Sequence, residues 1–376
     1  MIGIPVRHLR REASMLLAVV ALIGASFYYV HGSAHHADGG PAQRLIVISS
    51  QFAEEGAGWL LLKNPVDGAT EIVVTSDAGV HWRRLRTSAG HPTATIFDFQ
   101  LIDSQHAVLQ SNGGIEMSDD GGASWHEVAL PGSAPLGGGI YFLDSRRGWY
   151  LQTGTASGAA RPAALWSTAN GGFTWNRLWV VSSVHPSDGG IPLDGVKNLV
   201  GFVTPDLGWM NVLGVAGSYV MATRDGGITW ARQDRSDGPA AAVRFFPPST
   251  VVLVLVEPVS YSLMRSADLG VSWRSVGGTP PSVGAGSESQ PNLVSSSTWV
   301  VPVGRQLMRT SDGGSSWETL AGGMAGGLSI EYVPWLSQAG RGYALVRDQL
   351  MNPYIFTTQD GGHVWSDVSA PELIRR

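Results

Sequence analysis

An eight-residue phrase that recurs seven times constrains the fold of this chain more than any other feature. It first appears as Thr75-Ser76-Asp77-Ala78-Gly79-Val80-His81-Trp82. Each copy has Ser or Thr at position one, Asp or Asn at position three, Gly at position five and Trp at position eight. Successive copies of the Trp lie 43 to 55 residues apart. A period in this range is the signature of a repeat architecture, in which each unit is one supersecondary element.

The phrase predicts a tight turn between two β-strands. In the second copy, Asp120 can fold its carboxylate back onto nearby backbone N–H groups, and Gly122 supplies a conformation that a Cβ would penalise. Trp125 then opens the next strand with a large apolar ring and one N–H donor. We expect these residues to brace hairpins, since seven equivalent carboxylates cannot all converge on one site. The positions predicted to be structural are Asp77, Gly79, Trp82, Asp120, Gly122, Trp125, Asn170, Gly172, Trp175, Asp225, Gly227, Trp230, Asp268, Gly270, Trp273, Asp312, Gly314, Trp317, Asp360, Gly362 and Trp365.

The phrase resembles the Asp-box, which is also called the bacterial neuraminidase (BNR) repeat. That repeat implies a β-propeller in which the box joins the third and fourth strands of each blade, away from the usual ligand face. The resemblance covers about residues 44 to 369, with Asn170 in place of the Asp and Val364 in place of the usual Thr or Ser. Neither change prevents the turn, because Asn makes the same bond to the backbone.

A second phrase lies upstream of most boxes. It reads Gly58-Trp59, Gly148-Trp149, Gly208-Trp209, Thr298-Trp299 and Gly342-Tyr343. An order of apolar strand, turn, Gly-Trp strand and box resembles the photosystem II assembly and stability factor family, whose members are seven-bladed propellers. Sialidase and xyloglucanase propellers are more distant resemblances. The resemblance implies the fold, and it suggests a role in assembling a protein complex.

The sequence therefore predicts an all-β fold, a seven-bladed β-propeller of four-stranded antiparallel blades, preceded by one N-terminal apolar helix. The 49 glycines and a charged fraction of only 15% favour many short strands joined by tight turns. Ring closure would hide the sheet edges that otherwise invite aggregation. The predicted blades span residues 44–86, 92–131, 136–181, 196–234, 240–277, 291–321 and 327–369.

Composition excludes several classes of function. The net charge of −5 leaves no basic field that could hold a nucleic-acid backbone, so we expect no nucleic-acid partner. The absence of cysteine removes disulfides, thiolate metal sites, a cysteine nucleophile and a lipidated Cys anchor. We find no phosphate-binding, zinc-protease or serine-hydrolase motif, and we expect no cofactor and no metal site.

The N-terminal segment predicts export. Residues 1–12 contain Arg7, Arg10 and Arg11, and residues 13–31 form an apolar segment that is either a transmembrane anchor or a signal peptide. Aromatic residues at its end favour the uncleaved anchor, while small residues around Ala34 would allow cleavage there. Residues 32–43 read as a linker, followed by the propeller at 44–370. Both alternatives place the propeller outside the cytoplasm, either held at the inner or plasma membrane or released as a periplasmic or extracellular protein.

Candidate binding residues come from the loops between blades and from the arginines of the first three blades. Arginine can grip a carboxylate through two hydrogen bonds, which would suit an acidic protein segment. Glycoside hydrolysis would instead need two carboxylates that flank one bond. The chain has no Arg-Ile-Pro phrase of the sialidase kind anywhere, and its nearest approach is Gly3-Ile4-Pro5. The candidates are Arg84, Arg146, Arg147, Arg161, Asp188, Asp194, Glu257 and Asp348.

Two hypotheses for the function follow. The first is a membrane-tethered, non-catalytic propeller that docks an extracytoplasmic protein or assembles a complex, and the sequence favours it because catalytic motifs are missing. The second is an exported glycan-active protein, either a glycoside hydrolase or a carbohydrate-binding propeller. We assign no catalytic residue.

Overall fold

The computed structural model describes most of the repeat region. The described residues all belong to one compact unit, Ala42–Arg376. The other unit, Met1–Pro41, which contains the predicted apolar helix, lies outside the described residues. In the part described, no helix is long and apolar enough for a membrane crossing. The described ranges are 46–52, 57–64, 68–77, 81–85, 96–111, 113–131, 139–214, 217–233, 240–256, 261–276, 292–303, 306–320, 329–336, 340–347 and 353–367.

The chain is a seven-bladed β-propeller. Each blade is a four-stranded antiparallel sheet of consecutive strands, which confirms the predicted fold class. The first three blades are β1 Ile46–Phe52, β2 Gly58–Lys63, β3 Thr70–Thr75 and β4 Arg83–Leu85; β5 Ile96–Leu101, β6 Ala107–Ser111, β7 Gly114–Ser118 and β8 His126–Glu127; and β9 Gly139–Phe142, β10 Gly148–Thr153, β11 Ala163–Thr168 and β12 Asn176–Val181.

A two-stranded hairpin, β13 Ser187–Asp188 and β14 Ile191–Pro192, stands between the third and fourth blades. The remaining blades are β15 Val196–Phe202, β16 Gly208–Gly214, β17 Gly217–Thr223 and β18 Ala231–Arg232; β19 Ala240–Phe246, β20 Thr250–Val256, β21 Tyr261–Ser266 and β22 Arg274–Ser275; β23 Asn292–Leu293, β24 Trp299–Val303, β25 Gln306–Thr310 and β26 Glu318–Leu320; and β27 Ser329–Leu336, β28 Gly342–Arg347, β29 Pro353–Thr358 and β30 Ser366–Asp367.

The ring closes by packing between the first and last blades, without a shared strand. All four strands of each of these blades come from one continuous stretch of chain. The innermost strand β27 lies beside the innermost strand β1. Burial raises the pKa of Tyr343 in the last blade, and the negative charge of Asp77 in the first blade raises it further. The first and last blades therefore lie side by side in the ring.

The repeated box forms the turn between the third and fourth strands of its blade. In the second blade, the Ser124 N–H and hydroxyl donate to the two carboxylate oxygens of Asp120 at 2.8 and 2.7 Å. The Ser118 hydroxyl donates to Asp120 and accepts from the Gly122 N–H at 2.7 Å. Gly121, at the fourth box position, also bonds the box to its own blade, since its N–H donates to the Gln105 carbonyl in the turn between the first two strands. Both turns thus share one end of the ring, which we call the box end; the opposite end is the loop end.

Box turns pack against the preceding blade. A Cβ added to Gly122 would lie 2.7 Å from a methyl group of Leu85 and 3.1 Å from the Trp59 ring, both in the first blade. The Trp149 indole N–H donates to the carbonyl of Gly226, in the next box, at 2.8 Å. The Trp209 ring approaches Gly270 of the following box in the same way. The upstream Gly-Trp phrase and the box are therefore two halves of one contact between blades.

Polar side chains also join the innermost strands. The Gln51 amide donates to the Phe99 carbonyl at 2.7 Å, and its oxygen accepts from the Leu101 N–H at 2.8 Å. Gln100 makes the same pair of bonds to the two main-chain groups of Phe142 in the third blade. Between the third and fourth blades, the Tyr141 hydroxyl donates to the Phe202 carbonyl at 2.8 Å. These bonds fix the height of each blade relative to the next.

We predict that Gly122→Ala destabilises the propeller by about 1–3 kcal/mol. Gly122 has φ of +86°, which an alanine adopts with strain, and the added methyl group would push on Leu85 and Trp59. Urea unfolding measures the loss. Gly139→Ala is the matched control, because nothing lies within 4 Å of its Cβ position. Equal stability of the two variants would contradict this account of the contact between blades.

Candidate functional site

Two long connections cover the loop end of the third and fourth blades. Residues 154–162 join β10 to β11, and residues 182–195 lead from β12 to β15. The Arg161 N–H donates to the Leu193 carbonyl at 2.9 Å, and Ala160 forms a bridge with Asp194. The first connection is also closed on itself, since the Gly154 N–H donates to the Pro162 carbonyl. The two loops are thus hydrogen-bonded to each other, and their residues 154–159 and 183–188 are exposed.

A buried lysine fixes this pair of loops. The Lys197 ammonium donates to the carbonyl oxygens of Arg161, Leu193 and Asp194 at 3.1, 2.8 and 2.9 Å. Lys197 is only 1% exposed, so all three of its donors are used inside the protein. Burial lowers the pKa of Lys197 to about 8, while the negative charge of Asp194 opposes this shift and the positive charge of Arg161 adds to it.

Sequence reasoning missed Lys197, although a signal was present. The chain contains only two lysines, Lys63 and Lys197, among its 25 basic Lys and Arg residues. A compact ammonium with three freely rotating donors suits three converging carbonyls better than a planar guanidinium does. A lysine at the start of an otherwise uncharged strand, in a chain that uses arginine almost everywhere else, therefore indicated an unusual role.

The structure brings Arg161 and Asp194 together at this place. One Arg161 guanidinium nitrogen donates to the carbonyls of Gly158 and Ala160, which holds the side chain within its own loop. Asp194 is exposed and is close enough to Tyr219 for its charge to add to the effect of burial, which raises the pKa of that phenol. The candidate Asp188 lies instead on the hairpin, where its carboxylate accepts from the Val180 N–H of β12 at 2.9 Å.

The remaining candidates lie elsewhere or outside the described residues. Arg146 and Arg147 are exposed at the box end, in the turn after β9, where Arg147 pairs with Asp144 at 2.7 Å. Arg84 is on the outermost strand of the first blade, 3.6 Å from Glu71. These arginines therefore do not form one patch with Arg161. Glu257 and Asp348 lie outside the described residues.

The carboxylates of the described boxes serve as hydrogen-bond acceptors. The pKa of Asp120 falls to about 2 because the Ser124 hydroxyl and N–H donate to it, and the pKa of Asp312 falls to about 2 through the equivalent Ser316. Burial raises the pKa of Asp98 on β5, against hydrogen bonds from the Phe99 N–H and the Ser49 hydroxyl. Nowhere in the described ranges do three His, Asp or Glu side chains converge as metal ligands.

A cavity of about 360 Å³ lies at the box end between the second and third blades. Its lining includes Asp119, His126 and Phe173. The His126 ring is parallel to the Phe173 ring, with their centroids 5.5 Å apart, and its Nδ1 lies 3.5 Å from Asp119. Phe173, at the sixth position of the third box, thus lies at the junction with the second blade.

Comparison with known proteins finds similarity in the fold and none in the sequence families. No known protein family and no curated protein matches the sequence. Among solved structures, YCF48 bound to a D1 peptide has a TM-score of 0.55 and 16% identity, over 85% of this chain and 94% of that one. A prolyl endopeptidase has a TM-score of 0.60 and 10% identity, over 95% of this chain and 53% of that one. The GH74 enzyme of Niastella koreensis has a TM-score of 0.32 and 12% identity, over 87% of this chain and 62% of that one. YCF48 and the prolyl endopeptidase differ in function, so the likeness to these two structures shows a common propeller fold.

We predict that Asp120→Asn makes stability less dependent on acid pH. The folded-state pKa of Asp120 lies below the unfolded value of 3.8, so its stabilisation is present above about pH 4 and is lost as the pH falls towards about 2. Asparagine keeps the bond to the backbone, as Asn170 does in the third box, where it accepts from the Thr174 N–H at 3.0 Å. Urea unfolding over this pH range measures the effect. An unchanged slope in the variant would refute the assignment.

We predict that Lys197→Met changes the alkaline pH dependence of stability. Because the folded-state pKa of Lys197 is lowered to about 8 from 10.5, folding disfavours its proton. The wild type should therefore gain stability relative to the variant as the pH rises from about 8 to about 10. The unfolding free energies of both proteins over this range test the sign. Lys63→Met is the control for the loss of a lysine from the chain. A difference that is constant with pH would contradict the burial of the charge.

Proposed function

We propose that this chain is an exported, membrane-tethered and non-catalytic propeller that docks an extracytoplasmic protein and so helps to assemble a complex. The proposal rests on the two hydrogen-bonded loops at the loop end, residues 154–162 and 182–195. Their tips are exposed, while Lys197 and the Arg161–Leu193 bond hold their bases. A surface that is ordered before binding avoids the entropic cost of ordering it in the complex.

The likeness to YCF48 supports this proposal, because that propeller has been solved with a D1 peptide bound. The carboxylates described above support it in a second way. Glycoside hydrolysis requires a protonated carboxyl group beside a second carboxylate. Asp98 is the carboxyl group described above whose pKa burial raises. Its hydrogen-bond partners are the Ser49 hydroxyl and the Phe99 N–H, and neither of them is a carboxylate.

The tether is the part of the proposal that rests on sequence. The apolar segment at 13–31 follows three arginines, and this order directs the following domain out of the cytoplasm. The linker at 32–43 would then leave the propeller within a short reach of the membrane.

We predict that removal of residues 1–31 mislocalises the protein and abolishes its function. The physical reason is that a tether raises the effective concentration of a membrane-bound partner. Cell fractionation and chemical cross-linking of the partner measure the two effects. A variant with a Gly/Ser linker of equal length in place of residues 32–43 is the control and should keep both. A soluble form with full function would argue against the tether.

Thermal unfolding of the purified protein with glycans distinguishes protein docking from glycan recognition. Any ligand of the native state raises its apparent stability. A broad panel of glycans should leave the unfolding temperature unchanged if the propeller docks protein. A reproducible increase with one class of glycan would favour the carbohydrate-binding alternative.

A further inference from the structure

The sixth position of the box separates the blades into two groups. In the third, fourth and fifth blades it is Phe173, Ile228 and Val271, and these side chains are 71%, 53% and 72% exposed. Single exposed apolar residues are ordinary, but the same position is apolar and exposed in three successive blades. The turn does not require an apolar side chain here, because the sixth residue closes the box only through its main-chain N–H, as His363 does to the Asp360 carboxylate at 3.0 Å.

An exposed arginine accompanies each of these apolar residues. Arg177 on β12 and Arg232 on β18 follow the apolar residue by four positions, and Arg274 on β22 follows it by three. All three belong to the outermost strands of their blades, so they line the outer surface of the ring near the box end. We call the set of Phe173, Arg177, Ile228, Arg232, Val271 and Arg274 the apolar–arginine wall.

The second, sixth and seventh blades have the opposite character at matching places. Their sixth box residues are Ala123, Ser315 and His363. Their outermost strands hold Glu127, Glu318 and Asp367. The first blade also has an apolar residue, Val80, at the sixth box position, which lies outside the described residues, and Arg83 and Arg84 on its outermost strand. The blades share one fold and one kind of turn, so folding alone does not explain why apolar residues and arginines occur together on three successive blades.

Two of the three arginines of the wall, Arg177 and Arg232, are held in place by aromatic rings without being neutralised. The Arg177 guanidinium lies over the Trp166 ring at 5.7 Å, and the Arg232 guanidinium lies over the Tyr219 ring at 4.4 Å. Among the described residues, no carboxylate is within ion-pair distance of either of them or of Arg274, whereas Arg147 is paired with Asp144. Stacking on a ring reduces the freedom of the side chain and leaves the N–H groups in its plane available for a ligand.

We propose that the apolar–arginine wall is an interaction surface for an acidic protein segment with apolar side chains. Carboxylates of the segment would accept bidentate hydrogen bonds from the arginines, and its apolar side chains would cover Phe173, Ile228 and Val271. We assign the surface to a protein segment rather than to an anionic membrane, because its residues belong to both the box turns and the outermost strands, which an extended segment can follow from blade to blade. The hairpin β13–β14 borders this surface, since the Trp230 N–H donates to the Gly189 carbonyl at 2.7 Å.

A photo-reactive diazirine residue at Ile228, in the full-length protein in its own cells, tests the proposal. We expect a cross-link to a protein segment that is rich in Asp and Glu and contains apolar residues. In the same protein, the triple change Arg177→Glu, Arg232→Glu and Arg274→Glu should reduce the cross-linking yield about tenfold or more, since several charge-assisted contacts would become repulsive. All three positions are exposed, so the far-ultraviolet circular dichroism of the variant should match the wild type.

Two controls use the matching blades. The diazirine residue at Ser315 should give little cross-linking, and the triple change Glu127→Lys, Glu318→Lys and Asp367→Lys should leave the yield from Ile228 intact. A lipid adduct in place of a peptide, a neutral or basic cross-linked segment, a yield no greater than from Ser315, or full cross-linking by the Arg→Glu variant would each overturn the proposal. Partner binding that survives the Arg→Glu changes would leave docking at the loop end standing, so the two proposals fail separately.

Discussion

The contact between each box and the preceding blade is the interaction on which the rest of the ring depends. Gly122 must be a glycine for two independent reasons: its φ is +86°, and Leu85 and Trp59 occupy the space that a side chain would need. The turn inside one blade and the packing between two blades therefore meet at a single residue. This explains why a local turn motif and a distant Gly-Trp phrase occur together along the chain.

The chain also stabilises the inner surface of the ring with polar bonds, which is unusual where apolar packing would suffice. Gln51, Gln100 and Tyr141 each satisfy main-chain groups of the next innermost strand. A buried main-chain group that lost such a partner would cost about 1–3 kcal/mol. These bonds thus define the register between blades, whereas apolar packing alone would allow the blades to slide.

The fold could be predicted from the sequence because its determinants are local. The turn needs Ser118, Asp120 and Gly122 within five positions, and the same pattern repeats at a regular period. The contacts that order the loop end could not be predicted in this way. Lys197 contacts Arg161, 36 positions away, and Gln51 contacts Phe99, 48 positions away. No spacing rule links such pairs, since their proximity exists only after the ring has formed.

A propeller divides its sequence between positions that build the ring and positions that remain free. The box fixes its first, third, fifth and eighth residues, and the outermost strand needs only backbone bonds to its neighbour. The sixth box position and the outer strand are therefore free to vary without cost to the fold. Apolar residues occupy these free positions on three successive blades, each followed by an arginine that has no carboxylate within ion-pair distance in the described part of the chain. Since exposed apolar side chains in such a cluster favour aggregation, a partner that covers them accounts for their presence better than folding does.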